Sequence, residues 1–243
     1  MPDSGSTTVK QYKAIFFDWD DTIGDFRQAA KRSLCELFDK YISGYFTDFS
    51  VFYELFQPHN RLLWELYGEQ KVTKDYLEFD RFFYPMMMGG VPLEEAVRLS
   101  PTMAKEHLGH TTEFFSLLPD AENVVRTLSK KYPLVIVSNG FQEVQYPKIK
   151  LSGLKDCFAD VVLSEEVGVP KPSAKIYEIA LRRGGWQPDE VLMIGDTWSS
   201  DIQGAINAGI DQLWVQSDLA GQDPDLPATY KVARLKDCLS LLI

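Results

Sequence analysis

Three apolar runs, Ala14-Ile15-Phe16-Phe17, Leu134-Val135-Ile136-Val137 and Val191-Leu192-Met193-Ile194, each end directly against a polar patch. This repeated junction constrains the fold more than any other feature of the chain. Runs so short and so uniformly apolar read as strands buried on both faces, the pattern of a parallel sheet. The patches are Asp18-Trp19-Asp20-Asp21-Thr22, Ser138-Asn139-Gly140 and Gly195-Asp196, with Lys171-Pro172 between the second and third and Asp201 five residues past Asp196. From Pro119 onward, helical patterns at 121–131, 143–151, 175–183 and 201–208 alternate with strand patterns at 134–137, 161–163, 191–194 and 212–215. That is the βα rhythm of an α/β domain, and a strand near 13–17 completes its sheet.

Between residues 26 and 116 the apolar spacing changes to the helical period. Ala30, Leu34, Leu37, Phe38 and Tyr41 form one stripe, and Phe52, Leu55, Phe56, Leu62, Leu63 and Leu66 form another. Gly44 and Gly68 mark helix ends, Thr73 is placed to cap a third helix, and Pro92 opens a fourth that Pro101 is expected to split. The chain therefore divides into a loose tail (1–12), an α/β core (13–25 and 117–243) and an inserted all-helical segment (26–116).

With 243 residues and 45% apolar content, the chain can bury a substantial core. A net charge of −10 argues against a nucleic-acid polymer as partner, because phosphate backbones are held by clustered Lys and Arg. A small phosphate ester needs only local positive charge, and a distant negative field is screened beyond about 8–10 Å. Cys35, Cys157 and Cys238 are odd in number and widely spaced, which points to reduced thiols and a cytoplasmic setting rather than a disulfide framework. No apolar stretch approaches the ~20 residues of a membrane span, and residues 1–12 are polar rather than a signal sequence. The expectation is a monomer or weak dimer acting on a small phosphorylated metabolite away from any membrane.

In an open α/β sheet, ligands collect beyond the carboxyl ends of the strands, where all of these patches fall. Asp18, the first side chain past its strand, is positioned to attack phosphorus and form an aspartyl-phosphate. Asp20 can protonate the leaving alkoxide and then deprotonate the hydrolytic water. Attack on a dianionic ester requires charge neutralisation, and hard oxygen ligands on several loops suit Mg²⁺. The ligand set expected is the carboxylates of Asp18 and Asp196 with the backbone carbonyl of Asp20. Asp201 has three open roles: touching the metal's water shell, orienting Lys171, or capping its helix. Lys171 supplies a point charge, and Ser138 with the amides of Asn139 and Gly140 can donate to the phosphoryl group. Thr22 either joins them or holds the loop.

Each patch alone has a plainer explanation, since D-x-D-x-T also serves turns and helix caps. Their order and strand context select the catalytic one. His59, His107 and His110 fall in the helical segment with no Ser or Cys placed beside them as a nucleophile, which disfavours a hydrolase triad. Met86, Met87 and Met88 read as packing filler rather than a pocket wall. The aromatic residues of the segment, Phe52, Tyr53, Phe56, Trp64, Tyr67, Phe82, Phe83 and Tyr84 among them, could stack a base, although most must build its core.

The ordered set from about Tyr12 onward resembles the haloacid dehalogenase superfamily, which carries D-x-D-x-T, a Ser or Thr after the second strand, a lysine, and an acidic pair after the fourth. The resemblance implies a Rossmann-like three-layer α/β/α core of strand order 5-4-1-2-3, a helical cap closing over small substrates, Mg²⁺ and an aspartyl-phosphate intermediate. It makes Asp18 the nucleophile, Asp20 the acid–base residue, Ser138 and Lys171 phosphate partners, and Asp196 and Asp201 the acidic pair in its spaced form. Gly195 departs from relatives that place a second acid there. An acid at position 20 favours a phosphatase over a dehalogenase. Trp19-Asp20-Asp21-Thr22 and the stretch 195–210 resemble the pyrimidine-nucleotide 5′-nucleotidase branch, so a nucleoside 5′-monophosphate is the expected substrate. The alternatives are a phosphosugar mutase of the same superfamily and a non-catalytic phospho-ligand-binding protein.

Overall fold

The computed structural model describes residues 10–216 and 223–243, so most of the tail expected at 1–12 lies outside the described residues. Its last residue, Tyr12, is buried and donates its hydroxyl to Asp211 Oδ2 at 2.9 Å. The chain forms two compact units, one from residues up to Ile23, Leu118–Ser138 and Leu154–Ile243, the other from Gly24–Leu117 and Asn139–Gly153.

The first unit is built on a parallel sheet of β1 (Ala14–Phe17), β2 (Leu134–Ser138), β3 (Phe158–Leu163), β4 (Val191–Gly195), β5 (Asp211–Val215) and β6 (Tyr230–Val232). Its order, β3-β2-β1-β4-β5-β6, is the expected 5-4-1-2-3 read from the opposite edge, with β6 added outside β5. Every residue of β1, β2 and β4 is buried, which is why those strands carry no polar alternation. On one face Ala14, Phe16, Val135, Val137, Val191 and Met193 pack with Ile176, Tyr177, Ala180 and Ala205. The last four come from helices α8 (Ala174–Gly184) and α9 (Gln203–Asn207). Fully burying a side chain such as Phe16 contributes about 1.5–3 kcal/mol.

Register explains where the polar patches end up. Phe17 lies level with Ile136 of β2 and Ile194 of β4. Asp18, Ser138 and Asp196 therefore leave the sheet at the same edge, one or two residues past that line. β1 sits where the chain steps first to β2 on one side and later to β4 on the other, the switch point at which such sheets form a crevice.

The second unit contains α1 (Phe26–Leu37), α2 (Phe49–Gly68), α3 (Lys74–Met88), α4 (Leu93–Glu113) and α6 (Gln142–Leu151). In the sheet unit α5 (Ala121–Leu128) precedes β2, and α7 (Ser164–Val167) follows β3. Asp48 caps α2 and Thr73 caps α3, each accepting from first-turn amides. Leu34, Leu37, Phe38, Phe52, Phe56, Phe82 and Met86 form its core, whereas Leu62, expected in a buried stripe, is 48% exposed. Only one of the three consecutive methionines can face that core from a helix. Met86 does, and Met87 and Met88 are exposed, so the filler role holds for Met86 alone.

Pro101 does not split α4, which runs unbroken from Leu93 to Glu113. The helix is packed by α1 and α3, and Ser100 donates its hydroxyl to Ala96 O at 2.6 Å, so tertiary contacts outweigh the backbone bond that proline removes. The segment 139–153, placed with the core on sequence grounds, groups with the helices instead. Phe141 stacks on Trp64 at 5.4 Å and meets Tyr67 edge-on at 5.9 Å. Among the described residues, no helix is long and apolar enough to cross a membrane.

Candidate functional site

Asp18 leaves the end of β1 with its backbone N–H on Ile194 O at 2.9 Å, a last ladder bond that aims its side chain beyond the sheet. Its carboxylate accepts from Lys171 Nζ at 2.6 Å, and the same ammonium donates to Asp201 Oδ1 at 2.7 Å. Carboxylate oxygens of Asp18, Asp196 and Asp201 all lie within 4.8 Å of one another. All four side chains are buried. The spacing of residues 153 apart in sequence is thus set by strand register and by one bridging lysine.

The loop after β4 is held from several sides. Thr22 Oγ1 and Thr197 Oγ1 each donate to Asp196 Oδ1 at 3.3 Å. Trp214 of β5 donates its indole N–H to Asp196 O at 2.8 Å. Asp201 is the fourth residue of the helical turn Trp198–Ile202 that leads into α9, and its Oδ2 accepts from Thr197 N at 3.0 Å while Ser200 Oγ reaches Oδ1 at 3.2 Å. Tyr177 of α8 donates its hydroxyl to Asp201 O at 3.0 Å. Of the three roles left open for Asp201, the geometry realises the contact with Lys171, and its carboxylate also stands within the acidic cluster.

Gly195 has a steric purpose that its sequence context does not reveal. A Cβ at that position would come within 2.5 Å of Asp201 Cβ and 2.6 Å of its Oδ2. The absent side chain makes room for Asp201, which explains why an acid does not stand there.

One ammonium stands among three buried carboxylates, so the ionised cluster is net negative. Burial pushes the Asp18 carboxyl up to about 7, with Lys171 pulling down and Asp201 pushing further up. Burial works against the Lys171 ammonium, but Asp18 and Asp201 outweigh it and raise it above its ordinary value. A buried, net-negative set of hard oxygen donors fits a divalent cation such as Mg²⁺.

Asp20 is partly exposed and does not join the three-carboxylate cluster; Asp21 beside it adopts a left-handed backbone, φ 62°. Ser138 is buried at the end of β2, and Asn139 and Gly140 follow it into the helical unit. Sequence reasoning missed Tyr177, Thr197, Ser200 and Trp214, whose contributions run through loop backbone and carboxylate contacts. The expectation that no serine neighbours the histidines is corrected: packing of α1 on α4 brings Ser33 Oγ to 2.8 Å from His107 Nδ1. His107 is only 2% exposed, so the pair is enclosed rather than a nucleophile facing solvent.

Comparison with known proteins is consistent with this geometry. The model of the haloacid dehalogenase-like hydrolase family matches residues 12–209. The pyrimidine 5′-nucleotidase YjjG of Escherichia coli is 32% identical over 94% of this chain and 96% of that protein. A glyceraldehyde 3-phosphate phosphatase of Methanothermobacter thermautotrophicus is 32% identical over 88% of this chain and 89% of its own length. The crystal structure of the HAD-hydrolase YfnB from Bacillus subtilis bound to magnesium superposes with a TM-score of 0.84 at 27% identity, covering 96% of this chain and 99% of that one.

Proposed function

Because this chain belongs to the haloacid dehalogenase-like hydrolase family, we propose that it is a Mg²⁺-dependent phosphomonoesterase working through an aspartyl-phosphate at Asp18. The observation that carries the reading is the buried Lys171 bridge between Asp18 and Asp201, with Asp196 beside them, at the switch-point edge of the sheet.

Lys171 fixes the rotation of the Asp18 carboxylate through one of its oxygens and presents positive charge where phosphoryl oxygens arrive. An Asp18 oxygen forms a bond to phosphorus as the bond to the substrate's ester oxygen breaks, and Asp20 gives its proton to that leaving oxygen. Water, losing a proton to Asp20, then attacks phosphorus, releasing orthophosphate and restoring the Asp18 carboxylate. Asp18, Asp196 and Asp201 with the Asp20 carbonyl would hold Mg²⁺, which supplies charge neutralisation for two approaching anions. Thr22 and Ser138 complete the donor set, the first through Asp196 and the second toward the phosphoryl group.

The likeness to YjjG and to the pyrimidine 5′-nucleotidase PynA of Streptococcus pneumoniae, 29% identical over 95% of each chain, supports a pyrimidine nucleoside 5′-monophosphate as substrate. The test is orthophosphate release from a panel of nucleoside monophosphates, triose phosphates and hexose phosphates, with and without EDTA. Metal-dependent release that is greatest for pyrimidine nucleotides and absent in Asp18→Asn is expected. Isomerised sugar phosphate in place of orthophosphate would identify a mutase, and full activity of Asp18→Asn would refute the nucleophile.

A further inference from the structure

The helical unit contains a buried cation with no hydrogen-bonded counter-ion among the described residues. Arg81 of α3 is 4% exposed, yet among the described residues its guanidinium makes no hydrogen bond and no ion pair, and its Nε–H is fully enclosed without an acceptor. The Phe82 ring offers partial compensation, with the guanidinium carbon over it at 5.4 Å from the ring centre. That cation–π contact leaves the N–H donors unanswered. Buried charges in proteins are normally paired, because an unpaired one is among the costliest arrangements a core can hold.

Among the described residues, no acid pairs directly with the Arg81 guanidinium. His107, held neutral by burial, feels the positive charges of Arg81, His110 and Lys148. Ser33 Oγ lies 2.8 Å from His107 Nδ1 and 3.4 Å from His110 Nδ1, adding a hydroxyl to the same neighbourhood. Glu78, one helical turn before Arg81, is an acid whose charge acts on it, and burial drives the Glu78 carboxyl above its ordinary value. Glu78 forms no bond to Arg81; its Oε1 stands 4.0 Å from Lys74 Nζ and lacks a hydrogen-bond partner. Among the described residues, the Arg81 guanidinium therefore has a nearby acid but no hydrogen-bonded counter-ion.

We propose that Arg81 is the anchor of an anion-binding site in the helical unit, taking a carboxylate or oxyanion group, with the neutral Ser33–His107 pair as a polar wall. The ligand is a separate small anion held within the helical unit, so the proposal does not rest on the phosphatase reading, and binding is measured without turnover.

The experiment compares thermal melts of wild type, Arg81→Met, Arg81→Lys and Glu78→Gln in EDTA at constant ionic strength, with malonate or inorganic phosphate replacing chloride. The wild type should show a saturable rise in Tm with at least one of the two anions. Arg81→Met, which removes an unpaired charge, should melt at or above wild type in chloride and lose the rise, with anion affinity weaker by about tenfold or more. Arg81→Lys should retain part of it. The proposal is overturned if wild type shows no anion-specific rise, or if Arg81→Met responds to anions as wild type does. It is equally overturned if Arg81→Met and Glu78→Gln both melt well below wild type in chloride, which would make the two residues a structural ion pair.

Discussion

Replacing Lys171 by methionine removes the one ammonium that bridges Asp18 and Asp201, at 2.6 and 2.7 Å, while keeping most of the volume of a side chain that is 2% exposed. Three carboxylates then remain within 4.8 Å of one another with no cation among them. Removing one partner from a buried ion pair costs about 3–5 kcal/mol. For a chain of this size each kcal/mol moves Tm by about 2–4 °C, so metal-free Lys171→Met should melt about 6–20 °C below wild type. The crowded carboxylates should then gain more from a divalent cation than wild type does, because Mg²⁺ replaces the missing charge. At a hundred times its Kd, a bound ligand stabilises by about 2.7 kcal/mol, so much of the deficit should close on titration with Mg²⁺. Activity should not recover with stability, since losing an aimed cationic donor lowers kcat by about 10²–10³. The assay is differential scanning calorimetry across a Mg²⁺ series, with kcat measured on the same samples. A metal-free Tm within ~2 °C of wild type, or identical Mg²⁺ increments in the two proteins, would refute the electrostatic reasoning.

Gly195→Ala should push Asp201 from its place, because the new Cβ would overlap that side chain; kcat should fall by about 10²-fold and divalent-cation binding should weaken, both absent if the loop yields without consequence. Trp214→Phe removes the indole donor to Asp196 O and should weaken Mg²⁺ binding by about 10–100-fold, as read by isothermal titration calorimetry. Burial, reinforced by the charge of Arg81, holds His107 well below its ordinary value. The unfolded chain therefore takes up a proton below about pH 6.5 that native His107 refuses. Stability present above that pH is lost as pH falls, with a slope approaching about 1.4 kcal/mol per unit. His107→Gln should lack that slope in urea melts between pH 7 and 5, and parallel slopes would contradict the assignment.

The legible parts of the molecule are those whose physics is local. Strands β1, β2 and β4 are buried on both faces, so they stand out as apolar runs, and the patches behind them reach one edge because parallel register carries them there. β6 escaped notice because it is three residues long at the sheet edge and only partly buried. The continuity of α4 through Pro101 depends on packing by α1 and α3, which no local signal records. Asp18 and Asp196 could be expected together from their strand ends, and Lys171 and Asp201 from the connections that follow β3 and β4. Tyr177 and Trp214 could not, since they act on loop carbonyls brought near only by folding. Gly195 looked like a gap in a motif and proves to be the space Asp201 occupies. Ser33 and His107, 74 residues apart, meet through helix packing alone.

The central claim is that phosphoryl transfer passes through the Asp18 carboxylate. Quenching the enzyme during turnover of a phosphomonoester and reducing it with borohydride converts an aspartyl-phosphate to homoserine, which peptide mass spectrometry locates. Homoserine at position 18, formed only when substrate and divalent cation are both present, is the predicted result. Steady orthophosphate release with Asp18 unmodified, or with the label at another residue, would contradict the account.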